Sequence, residues 1–312
     1  MNAATRRVLR PRQADANRDG IVTDVADPMR VALVTFGADE FSALHYTCVA
    51  AGHEPVAYVY CRSMKPKSRT DAHAAAVAGR LLEALPPGMD LLLPGTAEGL
   101  AEALAGYRLD LLVVYGFNWK LPASVLGTPQ FGVVNVHSSL LPRYRGPAPV
   151  LWAIRNGDAE IGLTVHRMDE HFDTGAILAQ RGGVPLDEDV TPQGLWKRIR
   201  PVLGDVLMAA LDKVARGAPG VPQGEAGASY AGFMEPEFSV VDWSRTSAEV
   251  HNQVRMFRFM GPGHAPVARV GDRWLKVLRT RMQPAEGIRV ECADGPIWIV
   301  ESALAQPPAT RS

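Results

Sequence analysis

Asn135 and His137 stand two residues apart at the end of an apolar run, Phe131-Gly132-Val133-Val134-Asn135-Val136-His137. In a strand alternate side chains share a face, so the two project together at the strand's carboxyl end. An amide beside an imidazole suits acyl or formyl transfer, because the amide can donate to a developing oxyanion while the imidazole accepts or relays a proton near neutral pH. On spacing alone, a satisfied histidine at a strand end is the competing reading. Downstream, Asp169, Glu170 and Asp173 crowd a short loop that closes on Thr174-Gly175, where a carboxylate can orient an imidazole or keep it basic. His166, Asp169, His171 and Asp173 also imitate a mixed metal site. They lack the i, i+4 helical spacing of HExxH and any cysteine support, so a solvated loop and no metal is the expectation, with His166 a packed structural residue in mid-strand.

These groups need a scaffold, and the chain supplies strand candidates alternating with helices. "RVALVTF" leads through Gly37 into a helix near 39–51, "PVAYVYC" into one near 71–85, and "DLLLP" into one near 97–106; "LDLLVVYG" and "FGVVNVH" follow with only a short helical piece between. Continuous apolar strands separated by helices predict an α/β fold with a doubly wound, mostly parallel sheet covered on both faces. Ligands of such sheets bind beyond the carboxyl ends of the strands. The loops there are Gly37–Phe41, Tyr115–Pro122 and Asn135–Gly146. Two further strands, "GLTVHRM" and "AILAQR", flank "DEHFDTG", and a helix is expected over Thr191–Ala215.

A Gly, Pro and Ala-rich stretch then marks a linker. The expected division is an extension at 1–28, a catalytic domain at 29–217, a linker at 218–228 and a small, mostly β domain at 229–312. In that last part Ser244 is expected to cap a helix running to about Phe259, and turns are expected at Gly271-Asp272 and Asp294-Gly295. No GxGxxG fingerprint supports a dinucleotide cofactor.

Thirty-three basic and thirty-three acidic residues cancel, so no long-range field gathers nucleic acid or an anionic membrane. Cys48, Cys61 and Cys292 fit neither a disulfide framework nor a cysteine metal motif, which suggests a reducing cytoplasm. No apolar run approaches a membrane span. Residues 1–28 carry five arginines and no hydrophobic period; within them "DANRDG" imitates half a calcium loop, but Ala26 stands where the bidentate carboxylate belongs.

"NVHSSLLPRYRGPAP", followed by "WAIRNGDAEIGLTVHRMDEHFDTGAIL", resembles the core of the folate-dependent formyltransferase family, which includes methionyl-tRNA formyltransferase and the sugar N-formyltransferases. "FGADEF" is similar to the family's first loop, "VVYGFNWKLP" to its folate-side loop and "SVVDWSRTSAEVHNQVRMF" to the opening of its C-terminal domain, so the likeness covers nearly all of residues 29–280. The resemblance implies Asn135, His137 and Asp173 as the catalytic set and 10-formyltetrahydrofolate as cosubstrate. It implies that the pterin lies between the Tyr115–Pro122 and Asp169–Gly175 loops, with Tyr115, Gly116, Phe117, Trp119, Leu121, Asp169, Thr174 and Gly175 on its side. Ser139, Leu140, Leu141 and Pro142 would shape another wall, or form only an apolar turn that fixes the loop. Phe36, Gly37, Arg143, Tyr144 and Arg145 would face the folate tail or the acceptor, or be solvated.

The acceptor is read as a primary amine of a small molecule, an amino sugar or a secondary-metabolite amine. Met-tRNA is the alternative. Recognition of tRNA calls for clustered Lys and Arg, and residues 226–312 hold ten basic against nine acidic side chains. Arg62, Lys65, Lys67 and Arg69 form a basic loop without the "AGRGKK" pattern of the tRNA enzyme, and "FRFMGPGHAP" replaces the family's tryptophan-proline-glycine turn. A catalytically silent folate-binding protein is the alternative from another class.

Overall fold

The computed structural model describes residues 27–60, 72–116 and 120–308. The chain runs β1 (Arg30–Thr35), α1 (Ala38–Ala50), β2 (Glu54–Tyr60), α2 (Ala72–Ala84), β3 (Asp90–Leu92), α3 (Ala97–Ala105), β4 (Leu111–Tyr115), α4 (Ala123–Leu126) and β5 (Val133–His137). It continues through α5 (Pro149–Arg155), β6 (Glu160–Arg167), β7 (Ile177–Pro185), α6 (Pro192–Ala215), α7 (Ser247–Phe259) and β8 (Val267–Val270). It ends in β9 (Arg273–Arg281), β10 (Ile288–Cys292) and β11 (Gly295–Leu304). The calcium-loop imitation, Cys61 and the basic loop at 62–69 lie outside the described residues.

Seven strands form one sheet in the order β3-β2-β1-β4-β5-β6-β7. The neighbours from β3 to β5 are parallel, whereas β5 and β6 are antiparallel. The parallel part reads as apolar runs for a physical reason: helices cover both faces, so Leu111–Tyr115 is buried at every position. Ala32, Val34, Val59, Leu104, Leu112 and Val114 share one core cluster. The chain leaves β1 toward β2 on one side and later enters β4 on the other. This reversal places the topological switch point between the carboxyl ends of β1 and β4.

The second sheet is antiparallel, in the order β10-β11-β9-β8. Val250 and Val254 of α7 pack on Ala268, Val277, Ile297 and Ile299 from it. Its hairpins turn at Gly271-Asp272, as expected, and at Ala293-Asp294, one residue earlier than expected, because Gly295 already pairs with Cys292 as the first residue of β11. The cap of α7 is a correction to the sequence reading. Thr246, not Ser244, accepts from the Glu249 backbone N–H while the Glu249 carboxylate accepts from the Thr246 N–H, a reciprocal capping box. Ser244 instead donates its backbone N–H and hydroxyl to Asp242.

The compact units are not consecutive in sequence. One comprises residues up to His137 with Leu163–Arg181 and Val202–Glu225; the other comprises Ser138–Gly162, Gly182–Pro201 and the chain from Ala226. The division within α6 falls at Pro201, whose ring removes a helix hydrogen bond. No helix among the described residues is long and apolar enough to cross a membrane.

Candidate active site

Asn135 and His137 end β5 as the alternation requires, and the antiparallel register sets Asn135 opposite His166 and His137 opposite Thr164. Asp173 comes from the loop between β6 and β7. Its Oδ2 lies 3.7 Å from His137 Nδ1, and its Oδ1 accepts from Asn135 Nδ2 at 3.3 Å. One carboxylate therefore serves both partners. His137 is 6% exposed and the Asp173 side chain 13%, so these interactions operate where water screens them little.

His166 is a packed histidine, and its partners belong to the same constellation. It is buried as expected, at 1% exposure. Yet its Nε2 sits 3.2 Å from Asn135 Nδ2 and 3.4 Å from Asp173 Oδ1, and its ring stands edge-on to His137 with centroids 6.3 Å apart. Spacing along β6 alone does not reveal this. The signal is the antiparallel pairing of β5 with β6, which a reading in terms of parallel strands passes over.

Two devices aim Asp173. Gly175 approaches the Arg167 backbone so closely that a Cβ would stand 1.9 Å from its carbonyl oxygen, so the Thr174-Gly175 step tolerates only glycine at its second position. Gln223, from the stretch read as linker, donates Nε2 to the carbonyls of Asp173 and Gly175 at 2.8 Å each. Asp173 itself adopts φ 54, a left-handed conformation that Asp and Asn tolerate better than most residues. Arg167 ties the base of the loop, donating to the carbonyls of Phe131, Ala218 and Pro219. Sequence reasoning missed Gln223 and Arg167, since their partners are backbone carbonyls that leave no side-chain motif.

The imitation metal cluster divides. His166 and Asp173 belong to the buried constellation. Asp169 instead accepts from the His171 N–H and the Thr174 hydroxyl, closing its own turn, and the His171 side chain is 80% exposed. Among the described residues no group of three His, Cys, Asp or Glu side chains is arranged to hold a metal.

At the switch point Phe36 lies over Gly116, whose φ is 72 and where a Cβ would fall 2.0 Å from the Phe36 ring. Phe36 also tilts against Tyr115, with centroids 6.1 Å apart. Thr35 Oγ1 and Tyr58 Oη lie 2.7 Å apart below Gly37, and burial raises the pKa of Glu40 in the first turn of α1. Leu121 is a core residue, 3% exposed and within the β4-side cluster. Phe117 and Trp119 lie outside the described residues.

Ser139–Arg145 belongs to the other compact unit. Ser139 donates to the Arg143 carbonyl at 2.6 Å, Leu141 is buried, Leu140 is exposed, and Leu141-Pro142 is cis. Arg143 and Tyr144 both bond Asp158, and Asn156 donates to the Tyr144 hydroxyl. This network binds the turn to the segment after α5, a helix the sequence reading did not anticipate. The Arg145 backbone N–H donates to Ser229.

Residues 29–211 match the family model described as formyl transferase. The chain is 34% identical over 297 residues to the methionyl-tRNA formyltransferase of Citrifermentans bemidjiense, covering 87% of this chain and 88% of that protein. It is 33% identical over 284 residues to that of Parvibaculum lavamentivorans, with coverages of 86% and 90%. Among solved structures, the sugar 3N-formyltransferase WlaRD superposes with a TM-score of 0.60 at 17% identity, covering 88% of this chain and 98% of its own. The Helicobacter canadensis N-formyltransferase, solved with folinic acid and dTDP-3-aminofucose, gives 0.60 at 18%, covering 88% and 100%. HypX of Aquifex aeolicus, solved with tetrahydrofolic acid, gives 0.59 at 17%, covering 90% of this chain and 45% of its own. At such identities the structural likeness is one of fold. The sequence matches go further: the chain belongs to the formyl transferase family and is an enzyme of formyl transfer.

Proposed function

We propose that the protein transfers a formyl group from 10-formyltetrahydrofolate to a primary amine of a small molecule, with Asn135, His137 and Asp173 as the catalytic set. The observation that carries the chemistry is the shared carboxylate: Asp173 holds the Asn135 amide through Oδ1 and faces the His137 imidazole through Oδ2. The folate would supply an electrophilic formyl carbon, with the pterin between the Tyr115–Pro122 and Asp169–Gly175 loops. The carbon–folate nitrogen bond breaks, its nitrogen taking up a proton as tetrahydrofolate leaves, only after the acceptor nitrogen has bonded to that carbon and negative charge has gathered on the formyl oxygen. Asn135 donates an N–H to it. His137 takes the proton that the amine sheds, and the Asp173 carboxylate stabilises the resulting imidazolium. We read 29–217 as the catalytic part, 218–228 as linker and 229–312 as an accessory domain, in a cytoplasmic protein.

A small acceptor is supported by how the C-terminal arginines are used. Arg255 donates to the Leu186 and Asp187 carbonyls, Arg258 to the Glu188 carbonyl and the Asp189 carboxylate, Arg279 to Asp189, and Arg281 pairs with Glu188. Four of the ten basic residues after Ala226 are thereby engaged with one acidic loop. Phosphates would have to compete with these carbonyls and carboxylates for them. The near full-length likeness to methionyl-tRNA formyltransferases favours a second reading, with Met-tRNA as acceptor.

Mass spectrometry of products from 10-formyltetrahydrofolate with a panel of nucleotide-linked amino sugars, other primary amines and Met-tRNA separates the readings. Gain of one formyl group on a small amine, with Met-tRNA unchanged, supports the proposal. Efficient formylation of Met-tRNA supports the second reading. Folate binding without product from any amine points to a silent folate-binding protein.

A further inference from the structure

The second ring nitrogen of His166 is what decides its role. Nδ1 lies 2.8 Å from the Arg167 carbonyl oxygen. A carbonyl oxygen only accepts, so Nδ1 carries a hydrogen, and in the neutral ring Nε2 is then an acceptor. In that form of the ring Asn135 turns its NH2 group toward Nε2, because the opposite orientation would set Oδ1 against a lone pair. Asp173 Oδ1 completes a nearly equilateral triangle, with sides of 3.2, 3.3 and 3.4 Å. The two acceptors therefore subtend about 60° at Nδ2, half of the roughly 120° between the N–H bonds of a planar amide. An amide that aligns one N–H with either acceptor turns the other N–H out of the triangle.

We propose that His166 is a positioning residue for Asn135, fixing the polarity and rotation of the amide so that an N–H and not Oδ1 meets the formyl oxygen. The inference rests on the proposed use of Asn135. Asp173 by itself favours the same polarity, but a single acceptor leaves the amide able to align either N–H on it. The carboxylate is also shared with His137. His166 is 1% exposed and held by the Arg167 carbonyl, which makes it the fixed second point.

The first test needs no turnover. Long-range ¹H–¹⁵N spectra of the folate-free protein at neutral pH should show His166 as the Nδ1–H tautomer with Nε2 unprotonated. An Nε2–H tautomer or an imidazolium overturns the proposal, since neither accepts from Asn135. The second test follows formyl transfer from 10-formyltetrahydrofolate to dTDP-3-aminofucose or Met-tRNA, whichever reacts. His166→Gln keeps an acceptor near the Nε2 position and should hold kcat within about threefold, whereas His166→Leu should lower kcat about 10- to 100-fold with KM for the folate nearly unchanged. In an Asn135→Ala background, His166→Leu should cost nothing further. Wild-type kcat in His166→Leu, or an equal loss with and without Asn135, overturns the proposal. If His166→Leu fails to melt cooperatively, the tautomer and the Gln variant decide. Full turnover in Asn135→Ala would sink the catalytic reading of Asn135 itself. An inactive Asn135→Ala beside an active His166→Leu would sink only the role of His166.

Discussion

Asp173 Oδ2 lies 3.7 Å from His137 Nδ1, while Oδ1 of the same carboxylate is turned to the Asn135 amide. That separation is beyond an ordinary hydrogen bond and within ion-pair reach, so in this geometry Asp173 acts on His137 through charge. His137→Ala should lower turnover about 10²- to 10⁴-fold, the span of a lost general acid–base group. Asp173→Asn keeps the shape, removes the charge and should lower kcat more than it raises KM. Steady-state kinetics beside thermal melting checks both, and wild-type turnover in either variant would remove that residue from the catalytic set.

Gly175 sets the position of Asp173 through a close approach to Arg167. In Gly175→Ala the new Cβ would stand 1.9 Å from a backbone carbonyl oxygen, which cannot swing aside as a flexible side chain can. The variant should lose about 1–3 kcal/mol of stability and most of its activity together. A drop in turnover with an unchanged melting temperature would mean that the loop accommodates the methyl group and that Gly175 has some other role.

Gln223 anchors the same loop from the far side of the sequence. Removing its amide takes one donor from each of the carbonyls of Asp173 and Gly175, at about 0.5–1.5 kcal/mol per hydrogen bond. Gln223→Ala should therefore reduce kcat about tenfold while the global melting temperature moves by only a few degrees. Gln223→Glu has the same size and no N–H to give, so it should fail like alanine. Recovery of activity in the glutamate variant would show that bulk, and not donation, is what the loop needs.

The parts legible in the sequence are those that a local period or a side-chain pattern encodes. Apolar runs located β1, β4 and β5, and the alternation along β5 placed Asn135 and His137 on one face. The contact of His166 with Asn135 was not legible because it lies across an antiparallel strand pair, a non-local fact that no window along β6 contains. Gln223 sits in a Gly and Pro-rich stretch whose composition reads as linker, and what it bonds are carbonyls, which every residue has. Likewise Ser244 and Thr246 are both competent caps by type. The choice fell to Thr246 because Glu249 stands three residues after it and closes the box.

His251 in α7 predicts a pH dependence of folding that is independent of catalysis. It is 5% exposed, with Nδ1 2.8 Å from Thr280 Oγ1 and Nε2 3.8 Å from Glu188. Burial pushes its pKa down to about 4, and Arg255, Arg258 and Arg281 add to the fall while Glu188 opposes it. The unfolded chain then binds a proton near the ordinary histidine value of about 6.5 that the folded chain refuses. The stability this group contributes is complete above that value and is lost as pH falls toward about 4. Denaturant titrations should show the folding free energy declining through this interval, and His251→Gln, which cannot ionise, should flatten the decline. An equal slope in the variant would assign the effect to other groups, among which the Asp189 carboxylate, itself held below the ordinary range by Arg279, Arg258 and Arg281 despite an opposing burial cost, would act only at lower pH.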